Sequence, residues 1–307
     1  MRKPLKKFQR DGTPLPIPGR ASRVPGVNSP PSFERHGPLP PESPVVLSAP
    51  HAGREYPPAL AAALRVPLPA LRALEDRHVD LLALHARREE TLFVASRARA
   101  WIDLNRSEQE RDPMIDDGAQ RIGRPPSAKL RSGLGIVPRR VGTLGQLWSR
   151  RFSDAEIVAR IEQDHRPYHA ALAQALAAAH QRFGIAVLLD IHSMPPLGSF
   201  GAVPQLVVGD RFGRAAAARF ASCVAGVARR HGVAVAANVP YAGGHILERH
   251  SSPRGGIHAL QLEFDRALYL DAGFDGPGAG VAMTTALLRA IIDAVTEEAL
   301  PRALAAE

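Results

Sequence analysis

Short, unbroken apolar runs along this chain alternate with longer stretches in which apolar residues return every three or four positions. The run Val45-Val46-Leu47-Ser48-Ala49 is β-branched, short and closed by Pro50, and predicts a buried strand. From residue 68 to 90, Leu71, Leu74, Val79 and Leu82 have helical spacing. Residues 91–95 and 101–104 predict two further strands. Residues 107–150 are rich in Arg, Gly and Pro, predict no element, and read as a long surface excursion of the kind that often serves a site. Residues 152–183 predict a helix that opens on a capping box, Ser153 with Glu156, is interrupted at Pro167 and stops at Gly184. Residues 185–190 form an apolar strand with an acid at its C-terminal edge. Strands at 204–208, 233–237 and 258–264, and helices at 210–231 and 280–305, complete the pattern. This alternation predicts an α/β fold with a mixed, largely parallel sheet flanked by helices.

Order is expected to begin at Val45, giving a single folded domain over residues 45–307. Residues 1–44 hold 11 of the 28 prolines and almost no apolar periodicity, so they cannot bury enough surface to offset their ordering entropy. They read as a disordered basic arm. The formal charge of +9 changes little, because residues 1–36 carry eight Lys or Arg against two acids and leave +3 for the rest. The arm is read as a solvated tail rather than a nucleic-acid contact. No apolar run is long enough to span a membrane, and no apolar segment follows the basic start. The one cysteine, Cys223, excludes an intrachain disulfide and is read as a buried small core residue. A cytoplasmic protein is expected.

In open α/β sheets ligands bind beyond the carboxyl ends of strands. Three such ends carry polar groups here. His51 follows the first strand, His192 follows the apolar strand ending at Asp190, and Gln261 and Glu263 alternate onto one face of a late strand. Two histidines, one ligand carboxylate and one free glutamate are the minimum set for a catalytic zinc site, where three protein ligands leave a position for water and a carboxylate moves its proton. The ligand carboxylate is either Glu55 or Asp76. Glu263 alone can also be read as a buried ion-pair partner, for instance of Arg266. Asn105 and Arg106 suit a substrate carboxylate, which arginine grips with a planar fork. Arg99 can face a carbonyl oxygen that becomes an oxyanion. The glycine turn 241–245 presents Tyr241 and His245 as substrate contacts or structural residues. A serine hydrolase is disfavoured, since no G-x-S-x-G elbow occurs.

Taken in order, Pro50-His51-Ala52-Gly53, Asp76, Asp103-Leu104-Asn105-Arg106, the glycine-containing stretch 133–140, Asp190-Ile191-His192-Ser193, Gly243-Gly244-His245-Ile246 and the stretch 258–263 resemble the N-formylglutamate amidohydrolase family. The resemblance runs from about Val45 to Tyr269. It implies a zinc-peptidase-like fold and hydrolysis of N-formyl-L-glutamate to formate and glutamate, a step in histidine catabolism. It implies one zinc ion on His51, Asp76 and His192, with Asp76 preferred over Glu55. Glu263 then resembles the general base, Asn105 and Arg106 the carboxylate binders, and Arg99 the carbonyl-polarising arginine. The proline-rich arm is not part of that pattern. Two other readings stand beside it: a zinc peptidase or deacylase with another acyl substrate, and a nucleic-acid-binding protein using the arm.

Overall fold

Alternate residues of the first apolar run face opposite sides of a sheet, and each side has its own core. In the computed structural model, which describes residues 32–119, 127–142, 145–198 and 203–300, Val45 and Leu47 join one apolar cluster and Val46 the other. Among the described residues one sheet has seven strands: β1 (Phe33–His36), β2 (Val45–Ala49), β3 (Thr91–Ala95), β4 (Ala186–Met194), β5 (Leu206–Gly209), β6 (Val235–Ala237) and β7 (Ile257–Asp265), in spatial order β1-β3-β2-β4-β7-β5-β6. The central strands β3, β2, β4 and β7 run parallel. β1 is antiparallel to β3, β5 is antiparallel to β7, and β6 is parallel to β5. The mixed α/β architecture is the one the pattern predicts.

The helices are α1 (Pro58–Ala62), α2 (Val79–Ala86), α3 (Ala128–Arg131), α4 (Asp154–Arg160), α5 (Arg166–Phe183), α6 (Ala218–Arg230), α7 (His245–His250) and α8 (Val281–Ala299). α2, α6 and α8 cover one face, packing Leu82, Phe220 and Ile291 against Leu47, Leu189 and Leu260. α5 covers the other, where Tyr168, Leu172 and Leu176 share a cluster with Val46, Leu188 and Ala259. On this α5 face the side chains change character along the strands. Val46, Leu188 and Ala259 are apolar, whereas Ser48, Asp190, His192, Gln261 and Glu263, in the same period-two rows, are polar and buried. The core therefore ends, and a polar site begins, toward the carboxyl ends of β2, β4 and β7.

Several expectations are corrected. Order does not wait for Val45: Phe33–His36 forms an edge strand on β3, and Phe33 packs on Phe93 and Tyr168. Two aromatic contacts and four ladder positions outweigh the proline-rich surroundings, which hid the strand. Residues 1–31 of the expected arm lie outside the described residues. Residues 101–104 are a turn rather than a strand; Asp103 N–H bonds the Ile136 carbonyl instead of a sheet neighbour. The helix expected from Asp210 starts at Ala218. The helical stretch from 68 splits into a 3-10 helix, Leu68–Leu74, and α2. Cys223 is half-buried rather than buried. The capping box at Ser153 and Glu156 is present. Pro167 does not break the helix. The preceding turn widens to a π-helix over Ile161–His165, with Arg166 N–H reaching Ile161 O, and this makes room for a ring that cannot continue regular hydrogen bonding. Among the described residues no helix is long and apolar enough to cross a membrane.

Candidate metal centre and active site

Strand register builds the site. In the parallel β4–β7 pair Asp190 stands opposite Gln261 and His192 opposite Glu263. On the other side of β4, Ser48 of β2 stands opposite Asp190. His51 lies just past β2, in a turn that needs Gly53, since a Cβ there would sit 2.0 Å from the Arg97 carbonyl oxygen. Asp76 follows the Leu68–Leu74 turn and is anchored to the same place by its N–H, which donates to the His51 carbonyl at 3.0 Å.

His51, Asp76 and His192 each offer one ligand atom, all within 4.8 Å of one another, and each is buried. The chemistry of the donors fits a divalent cation. His51 Nε2 lies 2.7 Å from Asp103 Oδ1, and His192 Nε2 lies 2.8 Å from Asp190 Oδ2. With each Nε2 donating its proton to a carboxylate behind the ring, the Nδ1 atoms are the nitrogens left facing the centre, and they are the ones a cation would take. Asp76 Oδ2 lies there, 3.0 Å from His192 Nδ1 and 3.6 Å from His51 Nδ1. This is the carboxylate–histidine arrangement that orients imidazoles and raises their basicity as ligands. Asp190 is itself held by Ser48 Oγ at 2.7 Å, and Ser48 by the Tyr168 hydroxyl at 2.9 Å. The His51 and His192 rings meet edge to face at 4.7 Å. These residues could hold a metal ion.

Charge in the site is unevenly placed. Burial alone would raise the Asp76 carboxyl, but hydrogen bonds to His192 and His51 hold it well below the usual carboxylate range. Burial would likewise lower His192, yet Asp190 and Asp76 outweigh it and push the imidazole well above its ordinary value. Asp103 is buried too and is held ionised by Arg99, His51 and Arg106. Glu263 goes the other way: burial raises it to about 7, with His192 opposing and Asp76 adding to the shift. Its Oε1 accepts from Gln261 Nε2 at 2.7 Å, and Oε2 takes no hydrogen bond among the described residues. A buried carboxyl poised near neutrality beside a cation site is suited to moving protons.

The other expected residues are placed as follows. Arg99 Nε donates to Asp103 Oδ2 at 2.8 Å, and the guanidinium feels both Asp76 and Glu263. Tyr241 is half-buried and its phenol is raised first by burial and then by Glu263. Asn105 is fixed by the Ile246 N–H on Oδ1 at 2.9 Å, and its Nδ2 makes longer contacts to Gln261 and His192. Arg106 commits Nε to Leu134 O and Nη1 to its neighbour's carbonyl. The His245 ring does not join this group and packs against His165 and His169 instead. Glu55 is exposed and paired with Arg97 at 3.0 Å, so of the two candidate carboxylates Asp76 is the one at the centre. Arg266 is no partner of Glu263; it reaches Asp76 Oδ1 at 3.3 Å and the Glu75 carbonyl at 2.6 Å.

The N-formylglutamate amidohydrolase family model matches residues 43–270 of this chain. The chain belongs to that family. An N-formylglutamate deformylase of Pseudomonas aeruginosa is 28% identical over 273 residues, covering 84% of this chain and 92% of the relative. One of Pseudomonas putida is 30% identical over 236 residues, covering 74% and 82%. The crystal structure of N-formylglutamate amidohydrolase from Ralstonia eutropha JMP134 superposes with a TM-score of 0.78 at 32% identity, covering 87% of this chain and 97% of that one. A gene product of Agrobacterium tumefaciens, 18% identical with a TM-score of 0.58, shares the fold. For this amidohydrolase-family chain the sequence reading missed the acids behind the imidazoles. Asp190 was legible as the i−2 neighbour of His192 on one strand face. Asp103 was not, because 101–104 was read as a strand and the residue bonds across 52 positions to His51.

Proposed function

We propose that this chain hydrolyses N-formyl-L-glutamate to formate and L-glutamate, using one zinc ion held by His51, Asp76 and His192. The observation that carries the reading is the β4–β7 register, which sets Glu263 beside His192 at the edge of a three-ligand centre. When bound, such a cation would supply Lewis acidity toward the amide carbonyl and toward water. The protein supplies the rest. Glu263 Oε2 takes the proton of the attacking water while Oε1 stays on Gln261. The same proton then passes to the leaving amine as the C–N bond breaks. Arg99, steadied by Asp103, faces the carbonyl oxygen with its two terminal amines. Arg106, through the amine not bonded to backbone, and Asn105, through Nδ2, receive a substrate carboxylate and so fix the scissile bond. Tyr241, whose phenol feels the Glu263 charge, is a further substrate contact.

The test is formate release from N-formylglutamate before and after chelation, with Glu263→Gln alongside. That variant should keep the metal content of the wild type and lose about 10²–10⁴-fold in kcat, the usual contribution of a positioned acid–base group. Near-normal turnover in the variant would remove Glu263 from the mechanism. No formate from the native chain, with hydrolysis of another acyl-amino acid, would redirect the substrate.

A further inference from the structure

A second group of imidazoles meets away from the centre just described. His165 closes the π-turn, His169 follows one turn later on α5, and His245 opens α7; each offers one ligand atom and all lie within 4.8 Å of one another. His165 Nε2 lies 2.8 Å from the Arg106 carbonyl oxygen and His169 Nε2 lies 2.9 Å from the Leu104 carbonyl oxygen. A carbonyl only accepts, so both Nε2 atoms carry the proton and both Nδ1 atoms are lone pairs. The Nδ1 of His169 accepts from His250 at 2.8 Å. The Nδ1 of His165 is buried without a hydrogen bond, and both nitrogens of His245 are too. Glu108 Oε1 stands 3.8 Å from that His165 Nδ1, beyond hydrogen-bond range. His165 and His169 are fully buried.

Buried polar atoms are almost always paired, and three unpaired imidazole nitrogens in one place call for an explanation. A proton is a poor one. His165 is lowered by burial, His245 is lowered to about 4 by burial and then His165, and His250 to about 3 by burial and then Arg249. The rings are held neutral, the form that binds transition metals. Backbone carbonyls hold the far nitrogens of His165 and His169, as outer partners do for metal-bound histidine. Histidines four apart on one helix face, joined by a third from another element, are a familiar donor set for zinc.

We propose that His165, His169 and His245 form a second site, for a borderline divalent transition-metal ion such as Zn²⁺, that clamps α5 to α7 and fixes segment 103–106 from behind. The nitrogens, within 4.8 Å of one another here, must close to about 3.4 Å apart for tetrahedral coordination at ~2.0–2.1 Å. His250 gives up its bond to His169 Nδ1 on ligation, and Glu108 or water takes the remaining position.

The experiment is metal stoichiometry on the full chain, stripped with chelator and reloaded with Zn²⁺, or with Co²⁺ for its absorption spectrum. The native chain should take two equivalents. His165→Gln should take one, and so should His245→Gln, whose half-buried position keeps the test alive if the fully buried His165 cannot be replaced without unfolding. His51→Gln should also keep one equivalent, and adding His245→Gln to it should remove that last ion and its cobalt spectrum. One equivalent in the native chain, lost on His51→Gln, overturns the proposal. So do two equivalents retained by both single variants in the second group. Because the second ion is read in a His51→Gln background, failure of the hydrolytic reading does not disturb the result.

Discussion

Two groups of three ligand-bearing side chains share segment 103–106, and they differ in what stands behind the rings. The Nε2 atoms of His51 and His192 face the carboxylates of Asp103 and Asp190. Those of His165 and His169 face the carbonyls of Arg106 and Leu104. The first group also contains an acid, Asp76, while the second is all imidazole. Opposite proton affinities follow. His192 is pushed well above its ordinary value by Asp190 and Asp76, whereas His165, His245 and His250 are pushed down by burial. An acid-backed centre strengthens electron donation toward a cation and can serve polarisation of a substrate. A carbonyl-backed one fixes geometry with little charge, which suits a structural clamp.

The sharpest way to break this contrast is to remove the acids. Asp190→Asn and Asp103→Asn keep a hydrogen-bonding group of the same size but take away the charge. Each should weaken cation binding at the first centre by about 10–100-fold, the usual effect of losing an outer-shell partner. The second group should be untouched. Competition of the protein with a chromophoric chelator measures both. Unchanged affinity in both variants would mean that the carboxylates do not distinguish the two groups.

The same contrast explains what the sequence discloses. The first centre lies at strand ends, where the α/β rule directs attention, and period-two alternation puts Asp190 with His192 and Gln261 with Glu263. Asp76 is legible as a candidate ligand, but Asp103 as the partner of His51 is not, because it reaches that ring through a turn that no periodicity encodes. The second group was invisible for another reason. His165 and His169 sit in a helical run interrupted by Pro167, so their four-residue spacing reads as ordinary helix, and His245 reads as a substrate contact or a structural residue. Only the widened turn and the approach of α7 bring the three together. The strand Phe33–His36 was lost in the same way, to proline-rich composition that its aromatic packing overrides.

Gly244 offers a way to disturb both groups at once. A Cβ there would lie 2.3 Å from Asn105 Oδ1, closer than real contacts allow. Asn105 cannot easily yield, since its amide bridges Ile246 on α7 to Gln261 on β7. Gly244→Ala should therefore push α7, and His245 with it, away from the segment that carries Asp103. A loss of roughly 1–3 kcal/mol in stability is expected for overpacking of this kind. Denaturant unfolding gives the number, and a neutral result would show that the two groups are not mechanically joined through Asn105.

The smallest expected effect is the most diagnostic of the proton contrast. A histidine whose folded value is lowered stays neutral while the unfolded chain takes up a proton, so stability falls as pH drops below about 6.5, by at most ~1.4 kcal/mol per pH unit and per group. His165, His169, His245 and His250 all act in this sense. His192 has the opposite sign: its contribution is fully present below its unfolded value and is lost as pH rises through its raised folded one. Glu263, raised to about 7, gains stability as pH falls from that value toward its unfolded range. Between pH 6.5 and 4.5 seven lowered histidines, these four with His36, His78 and His258, thus oppose four raised carboxyls, Glu263 with Glu75, Asp164 and Asp265, and the chelated chain should lose stability. His245→Gln should make that slope shallower by up to one histidine's share, because the group that resists protonation down to about 4 is gone. Unfolding curves at pH 6.5, 5.5 and 4.5 measure the slope. If it is the same with and without His245, the second group is not held neutral by the fold, and the distinction between an acid-backed centre and a carbonyl-backed one loses its electrostatic basis.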